Sequence, residues 1–117
     1  MMKTAERFLA LAALLALGLG AQSLHASAEE AAKVSLTLKD HKFSPAEPAA
    51  PAHKPIVIEV ENQDKTPAEF ESKSLRVEKV VPGGDTITVR VRPLPPGRYR
   101  FYDDYHESTT EGFLVTK

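Results

Sequence analysis

No cysteine occurs anywhere in the 117-residue chain. Its absence excludes disulfides, thiolate metal sites, iron–sulfur clusters and cysteine nucleophiles. Stability must therefore come from a hydrophobic core in a domain near the lower end of comfortable sizes. A long membrane-spanning run is also missing. The apolar stretch Phe8 to Leu19 falls short of the ~20 residues a bilayer span requires. Lys3 and Arg7 precede it and Ala26-Ser27-Ala28 follows, the order of an export signal with a small-x-small cleavage site. We expect residues 1–28 to be a removed signal peptide and residues 29–117 to be the exported domain. Without Lys3, Arg7 and Glu6, the 15 basic and 16 acidic residues become 13 and 15, a net charge of −2 before histidine. That balance gives no electrostatic reason to expect nucleic acid or an anionic membrane as partner. There is no internal repeat or heptad, and no nucleophile with a histidine and an orienting acid at recognisable spacing. An ordinary hydrolase acting on a small organic substrate is therefore not expected.

What is present is a series of short strands. In VSLTLKDHKF, Val34, Leu36 and Leu38 share one face. The four prolines of SPAEPAAPAHKP, residues 44–55, suit an extended edge or loop that cannot join a central ladder. PIVIEVENQD places Ile56, Ile58 and Val60 on one side and ends in a polar turn from Asn62 to Lys65. A short helical turn is expected around Ser72 to Leu75, then strand as far as Pro82-Gly83-Gly84. DTITVRVRPL turns Ile87, Val89 and Val91 inward; RYRFYDD puts Tyr99, Phe101 and Asp103 on one face; GFLVTK closes the chain. Short strands with Pro and Gly turns and almost no helix argue for an all-β sandwich or barrel.

The side-chain period of two raises a chemical question. Asp103 continues the apolar face of Tyr99 and Phe101, and Asp40 continues that of Val34, Leu36 and Leu38. A buried carboxylate is costly unless it is paired or bound to a cation. Two readings stay open on spacing alone: a metal pocket at the end of the sandwich, or strands that emerge into solvent with ordinary exposed acids.

Phe43-Ser44-Pro45, PIVIEVENQD, AEF, PGGDTITVRVRPLPPGRYRF and the final loop with GFLV together resemble the cupredoxin pattern. The resemblance covers nearly all of residues 29–117 and implies a Greek-key β-sandwich with a metal at one end. In that pattern Glu69 stands at the place of the first copper histidine and Asp103 at that of the cysteine. His106 matches the second histidine, and Thr109-Thr110-Glu111 replaces the methionine region. Without a thiolate a blue-copper site is excluded, and the remaining carboxylate and imidazole donors suit Fe²⁺, Fe³⁺ and Mn²⁺, with Cu²⁺ and Zn²⁺ favoured by raw affinity.

EFESKSLRVEKVVPGG (69–84) and FYDDYHESTTEGFLV (101–115) resemble the cupredoxin-like periplasmic proteins of ferrous-iron uptake, the FtrB type and the N-terminal domain of the EfeO type. That resemblance implies a periplasmic accessory protein that binds iron, copper or both. It would work with an iron permease and a second periplasmic iron-binding protein and assist Fe²⁺ oxidation. Asp103 and His106, three residues apart on one loop, are the expected ligands, with Glu69 and Asp40 completing the set. Glu71, Asp104, Glu107 and Glu111 are candidates for an outer ring or proton relay. His41, if its strand is regular, points away from Asp40's face; His53 is expected to be solvated. Tyr102 and Tyr105 are expected to pack or donate hydrogen bonds beside the acids. Arg76, Lys79, Arg98 and Arg100 are expected to form a solvated face, to pair with nearby acids or to serve as a docking surface. The alternatives are a copper carrier without catalysis and an interaction module that holds no metal.

Overall fold

The computed structural model describes residues 30–117. The expected signal peptide, residues 1–28, lies outside them. Among the described residues nine strands form in the order β1 (Ala32–Lys39), β2 (Lys42–Ser44), β3 (Ala49–Ala50), β4 (Ile56–Asn62), β5 (Ala68–Ser72), β6 (Val77–Val81), β7 (Thr86–Val91), β8 (Gly97–Asp103) and β9 (Gly112–Thr116). A short 3-10 segment, Asp104–Thr109, connects β8 to β9. The strands make a four-stranded sheet, β2-β1-β4-β7, and a five-stranded sheet, β3-β9-β8-β5-β6. This is the all-β sandwich that the alternating sequence predicts. The expected helical turn near Ser72 is instead a tight turn between β5 and β6, with Arg76 in the left-handed region at φ 59°. Among the described residues no helix is long and apolar enough to cross a membrane.

Alternation decides which side chains enter the core. Parallel pairing of β1 with β4 sets Val34 beside Ile58, Leu36 beside Val60 and Leu38 beside Asn62. Antiparallel pairing then continues the layer, with Ile58 beside Val89 and Ile56 beside Val91. All of these side chains are buried. From the facing sheet come Phe70, Val81, Phe101 and Leu114, each 0% exposed. The proline-rich stretch behaves as its composition requires: beyond Ser44, which ends β2, Ala49 and Ala50 pair at the sheet edge against β9.

One end of the sandwich is built more tightly. Phe43 meets Phe70 and Phe101 edge-on, with ring centroids 5.9 and 5.2 Å apart. Each such contact is worth about 0.5–1.5 kcal/mol beyond its buried area. Phe43 lies two residues after His41, Phe70 pairs directly with Asp103, and Phe101 precedes Asp103 by two. The aromatic cluster is thus the floor beneath the polar end. Beside it the fully buried Asn62 donates from Nδ2 to the carbonyls of Thr66 (2.9 Å) and Val81 (3.1 Å) and accepts from the Asp64 N–H (3.0 Å). Gly83 allows the chain to cross this loop closely, since a Cβ there would stand 2.1 Å from the Lys65 carbonyl oxygen.

Candidate metal centre

Asp103 ends β8 at the point where the apolar face stops. Its side chain is only 1% exposed, yet every oxygen has a partner. Oδ1 accepts from the Glu69 N–H (2.9 Å) and the Tyr105 N–H (3.0 Å), and the second contact caps the 3-10 segment. Oδ2 lies 3.1 Å from His106 Nδ1. Thr110, also fully buried, accepts from the Asp103 N–H (2.8 Å) and donates to the His106 carbonyl (2.8 Å). Backbone and side chain of Asp103 are therefore held from several directions, and His106 is set against it.

The third member of the site comes from the other sheet. Lys39 pairs with Lys42, so Asp40 and His41 form a two-residue hairpin loop, and both have positive φ, 51° and 58°. Positive φ at both central residues marks the primed turn that matches strand twist, and Asp and His tolerate it better than most residues. The Asp64 carboxylate grips this turn, accepting the Asp40 N–H at 2.7 Å and the His41 N–H at 3.0 Å. Burial pushes the Asp64 carboxyl up, but these two N–H groups and the nearby His41 and His106 outweigh it and hold it below the usual carboxylate range. The turn carries the His41 ring over His106, with centroids 3.9 Å apart and planes 31° from parallel.

His41, Asp103 and His106 each offer a ligand atom within 4.8 Å of the others. Donors on one first-row ion at about 2.1 Å sit roughly 3–3.5 Å from each other. The Asp103–His106 spacing of 3.1 Å falls in that range once an ion displaces the proton shared between Nδ1 and Oδ2. His41, with its side chain 42% exposed, has room to rotate the remaining distance. The His106 side chain, 39% exposed, borders a cleft of about 630 Å³ that Arg100, Tyr105, Glu107 and Glu111 also line. An ion can therefore arrive from solvent, and a buried carboxylate meets it.

Of the four expected ligands, the structure brings Asp103 and His106 together and leaves two elsewhere. Asp40 does not continue the face of Leu38, because the left-handed turn begins at it; its side chain is exposed and lies outside the cluster. Glu69 reaches Asp103 only through its backbone N–H. Its carboxylate belongs to a second group with Glu71 and Asp104, their oxygens within 4.8 Å of one another. Partial desolvation there, with repulsion from Glu78 and Asp104, pushes the Glu69 carboxyl up. Consecutive residues of a strand end point to opposite sides, so Asp104 joins this group while Asp103 joins the histidines.

The neighbours take the quieter roles. Tyr102, 2% exposed, donates its hydroxyl to Glu71, and this bond with burial lifts its pKa to about 12. Arg100 lies over the Tyr102 ring at 4.3 Å and pairs with Glu111, while Arg98 pairs with Glu47. Glu107 stands 3.9 Å from Arg100, Lys79 bonds the Thr88 carbonyl, and His53 is exposed. Tyr105 is half-exposed and lines the cleft beside His106.

His41 points away from this end only if the strand runs on through Asp40; the turn there instead brings its ring against His106. The signal was there in Leu38-Lys39-Asp40-His41-Lys42-Phe43: two apolar positions flank two turn-tolerant residues, which is the spacing of a tight hairpin. The only methionines, Met1 and Met2, lie outside the described residues, so those residues hold no sulfur donor of any kind.

The sequence matches the cupredoxin-like domain family over residues 7–116. An uncharacterized protein of Rickettsia prowazekii (strain Madrid E) is 39% identical over 83 residues, which cover 71% of this chain and 66% of that protein. Among solved structures, the metal-binding domain of the Cu(I)-exporting P-type ATPase CopA of Streptococcus pneumoniae D39, with Cu(I), is similar. Its TM-score is 0.64 at 16% identity, covering 79% of this chain and 92% of that one. Auracyanin A, a blue copper protein from Chloroflexus aurantiacus, has a TM-score of 0.63 at 11% identity, covering 75% and 100%. At these identities the structural likeness speaks for the fold, while the sequence match over nearly the whole length speaks for ancestry: the chain belongs to the cupredoxin-like domain family.

Proposed function

We propose that this protein binds a metal ion through His41, Asp103 and His106. The observation that carries the reading is their convergence: two imidazoles on loops that extend from different sheets and a buried, oriented carboxylate present donor atoms within 4.8 Å of one another. A blue-copper centre does not fit these residues, since the chain has no thiolate to supply. Two histidines and one carboxylate with positions left open suit Fe²⁺, and Mn²⁺ is its air-stable stand-in. Cu²⁺ and Zn²⁺ would bind the same nitrogen and oxygen donors, the former most strongly on raw affinity.

Within that reading the ion is cargo, and the role favoured is that of an accessory protein in periplasmic ferrous-iron uptake. Fe²⁺ would be held for an iron permease and a second iron-binding protein. The support is the donor set together with the resemblance in residues 69–84 and 101–115. Oxidation of Fe²⁺ at the site is part of the proposal only with an electron acceptor, O₂ or a partner protein, because each Fe²⁺ releases one electron. The chain's own residues orient the donors and exclude water from one side through the Phe43–Phe70–Phe101 floor. A Cu²⁺ carrier is the second reading, favoured by the strength with which imidazole and carboxylate donors hold Cu²⁺.

The test is calorimetric titration of chelator-treated protein with Mn²⁺ and with Cu²⁺, repeated on His41→Ala, His106→Ala and Asp40→Asn, the last keeping a residue that tolerates positive φ. One ion per chain, weakened by either histidine substitution and unchanged by Asp40→Asn, is the expected result. No binding of either ion would leave the interaction module. Tight Cu²⁺ binding with no Mn²⁺ binding and no Fe²⁺-dependent O₂ uptake would favour the carrier.

A further inference from the structure

The motif Asn62-Gln63-Asp64 has no part in ligation, yet its last residue touches the site. Asp64 holds both N–H groups of the Asp40–His41 turn, at 2.7 and 3.0 Å. Its side chain is 14% exposed, and Oδ2 stands 3.8 Å from His41 Nδ1. Asp64 itself is anchored from below. Its N–H donates to Asn62 Oδ1 at 3.0 Å, and its carbonyl accepts the Gly84 N–H at 3.0 Å. The Gln63 N–H adds a bond to the Leu38 carbonyl at 2.7 Å, joining this loop to the strand that leads into the turn.

This arrangement does two physical things. A turn with two positive-φ residues other than glycine is strained, and a carboxylate accepting both of its N–H groups offsets that strain in one conformation only. The same carboxylate lies on the Nδ1 side of His41, where its charge favours the tautomer with the proton on Nδ1 and leaves Nε2 free. Ligating histidines commonly keep a carboxylate at the second ring nitrogen, and removing that partner costs about 10–100-fold in metal affinity.

We infer that Asp64 is a positioning residue for the metal centre: it locks the Asp40–His41 turn and sets the His41 tautomer so that Nε2 faces Asp103 and His106. The inference rests on the reading of His41 as a ligand, and the experiment separates the two. Cu²⁺ alone is the probe, with affinity from calorimetry and the number of coordinated nitrogens from the electron paramagnetic resonance spectrum. The proteins compared are the wild type, Asp64→Asn, Asp64→Ala, His41→Ala, His106→Ala, the double variant Asp64→Asn/His41→Ala, and Gln63→Ala as a control on the same loop.

The expected result is roughly 10–100-fold weaker binding in Asp64→Asn, with one of the two imidazole couplings lost. Gln63→Ala should match the wild type, and the double variant should bind no more weakly than His41→Ala alone. Wild-type affinity and both couplings in Asp64→Asn, while His41→Ala loses one, would overturn the role of Asp64 and leave the metal centre standing. Unchanged binding in His41→Ala, or no Cu²⁺ binding by the wild type, would overturn both. If the Asp64 variants do not fold, the nitrogen chemical shifts of His41 in the metal-free wild type decide: Nδ1–H is expected, and an Nε2–H ring would refute the inference.

Discussion

Replacing Thr110 by valine tests whether the β8–β9 corner holds the centre as described. Thr110 is 0% exposed, and its hydroxyl oxygen both accepts the Asp103 N–H and donates to the His106 carbonyl, each at 2.8 Å. Valine keeps the shape and removes both bonds. The Asp103 N–H then becomes a buried donor without a partner, at a cost of about 1–3 kcal/mol. The His106 carbonyl retains a long contact of 3.4 Å from the Thr109 hydroxyl and loses less. The sum is roughly 2–4 kcal/mol. For a domain of this size each kcal/mol moves the melting temperature by about 4–8 °C, so Thr110→Val should melt about 8–30 °C lower. Thermal unfolding followed by circular dichroism is the assay, with Thr110→Ser and the exposed neighbour Thr109→Val as comparisons. Serine should recover most of the loss, because it restores both bonds. A Thr110→Val shift no larger than that of Thr109→Val would show that the corner is not held through this hydroxyl.

The other expectations are more local. Tyr102 has a pKa raised to about 12, above its unfolded value of about 10. Its contribution to stability is therefore complete below pH ~10 and lost as pH rises through about 12. A tyrosinate absorbance titration should show that late step, and Tyr102→Phe should abolish it; its persistence in the variant would assign it to another tyrosine. Metal affinity should fall on acidification, since binding displaces protons from the ligands. A calorimetric affinity that does not change with pH would argue against histidine ligation. Gly83→Ala would set a Cβ 2.1 Å from the Lys65 carbonyl, so it should destabilise by about 1–3 kcal/mol or more in urea unfolding. It should also loosen Asp64, whose carbonyl lies 3.0 Å from the same Cβ position, and weaken Cu²⁺ binding with it.

Some of this architecture is written in local pattern. The alternation of Val34-Leu36-Leu38, Ile56-Ile58-Val60 and Val89-Val91 is enough to choose strands and their inner faces, because side-chain direction in a strand has a period of two whatever the partner is. The same rule placed Asp103 at the end of a buried face, and the structure leaves it 1% exposed. The proline-rich stretch was legible as an edge because proline lacks the donor a central ladder needs. His106, three residues beyond Asp103, was legible as its companion on the same loop.

What local pattern did not contain was the company these residues keep. His41 is 62 positions before Asp103, and no spacing rule connects them. Their meeting depends on the facing of two sheets and on a turn whose left-handed dihedrals Asp64 holds from a third segment. Glu69 is expected from the resemblance and Asp40 from the strand period, and three-dimensional direction places both elsewhere: Glu69 turns to the outer face with Glu71 and Asp104, and Asp40 turns out at the hairpin. The strands, their buried faces and the place of Asp103 at the end of one follow from chain geometry over a few residues, and the family resemblance adds His106 beside it. Only the tertiary structure decided the second histidine and the support beneath it, because backbone hydrogen bonds between distant segments choose which strand ends share a site.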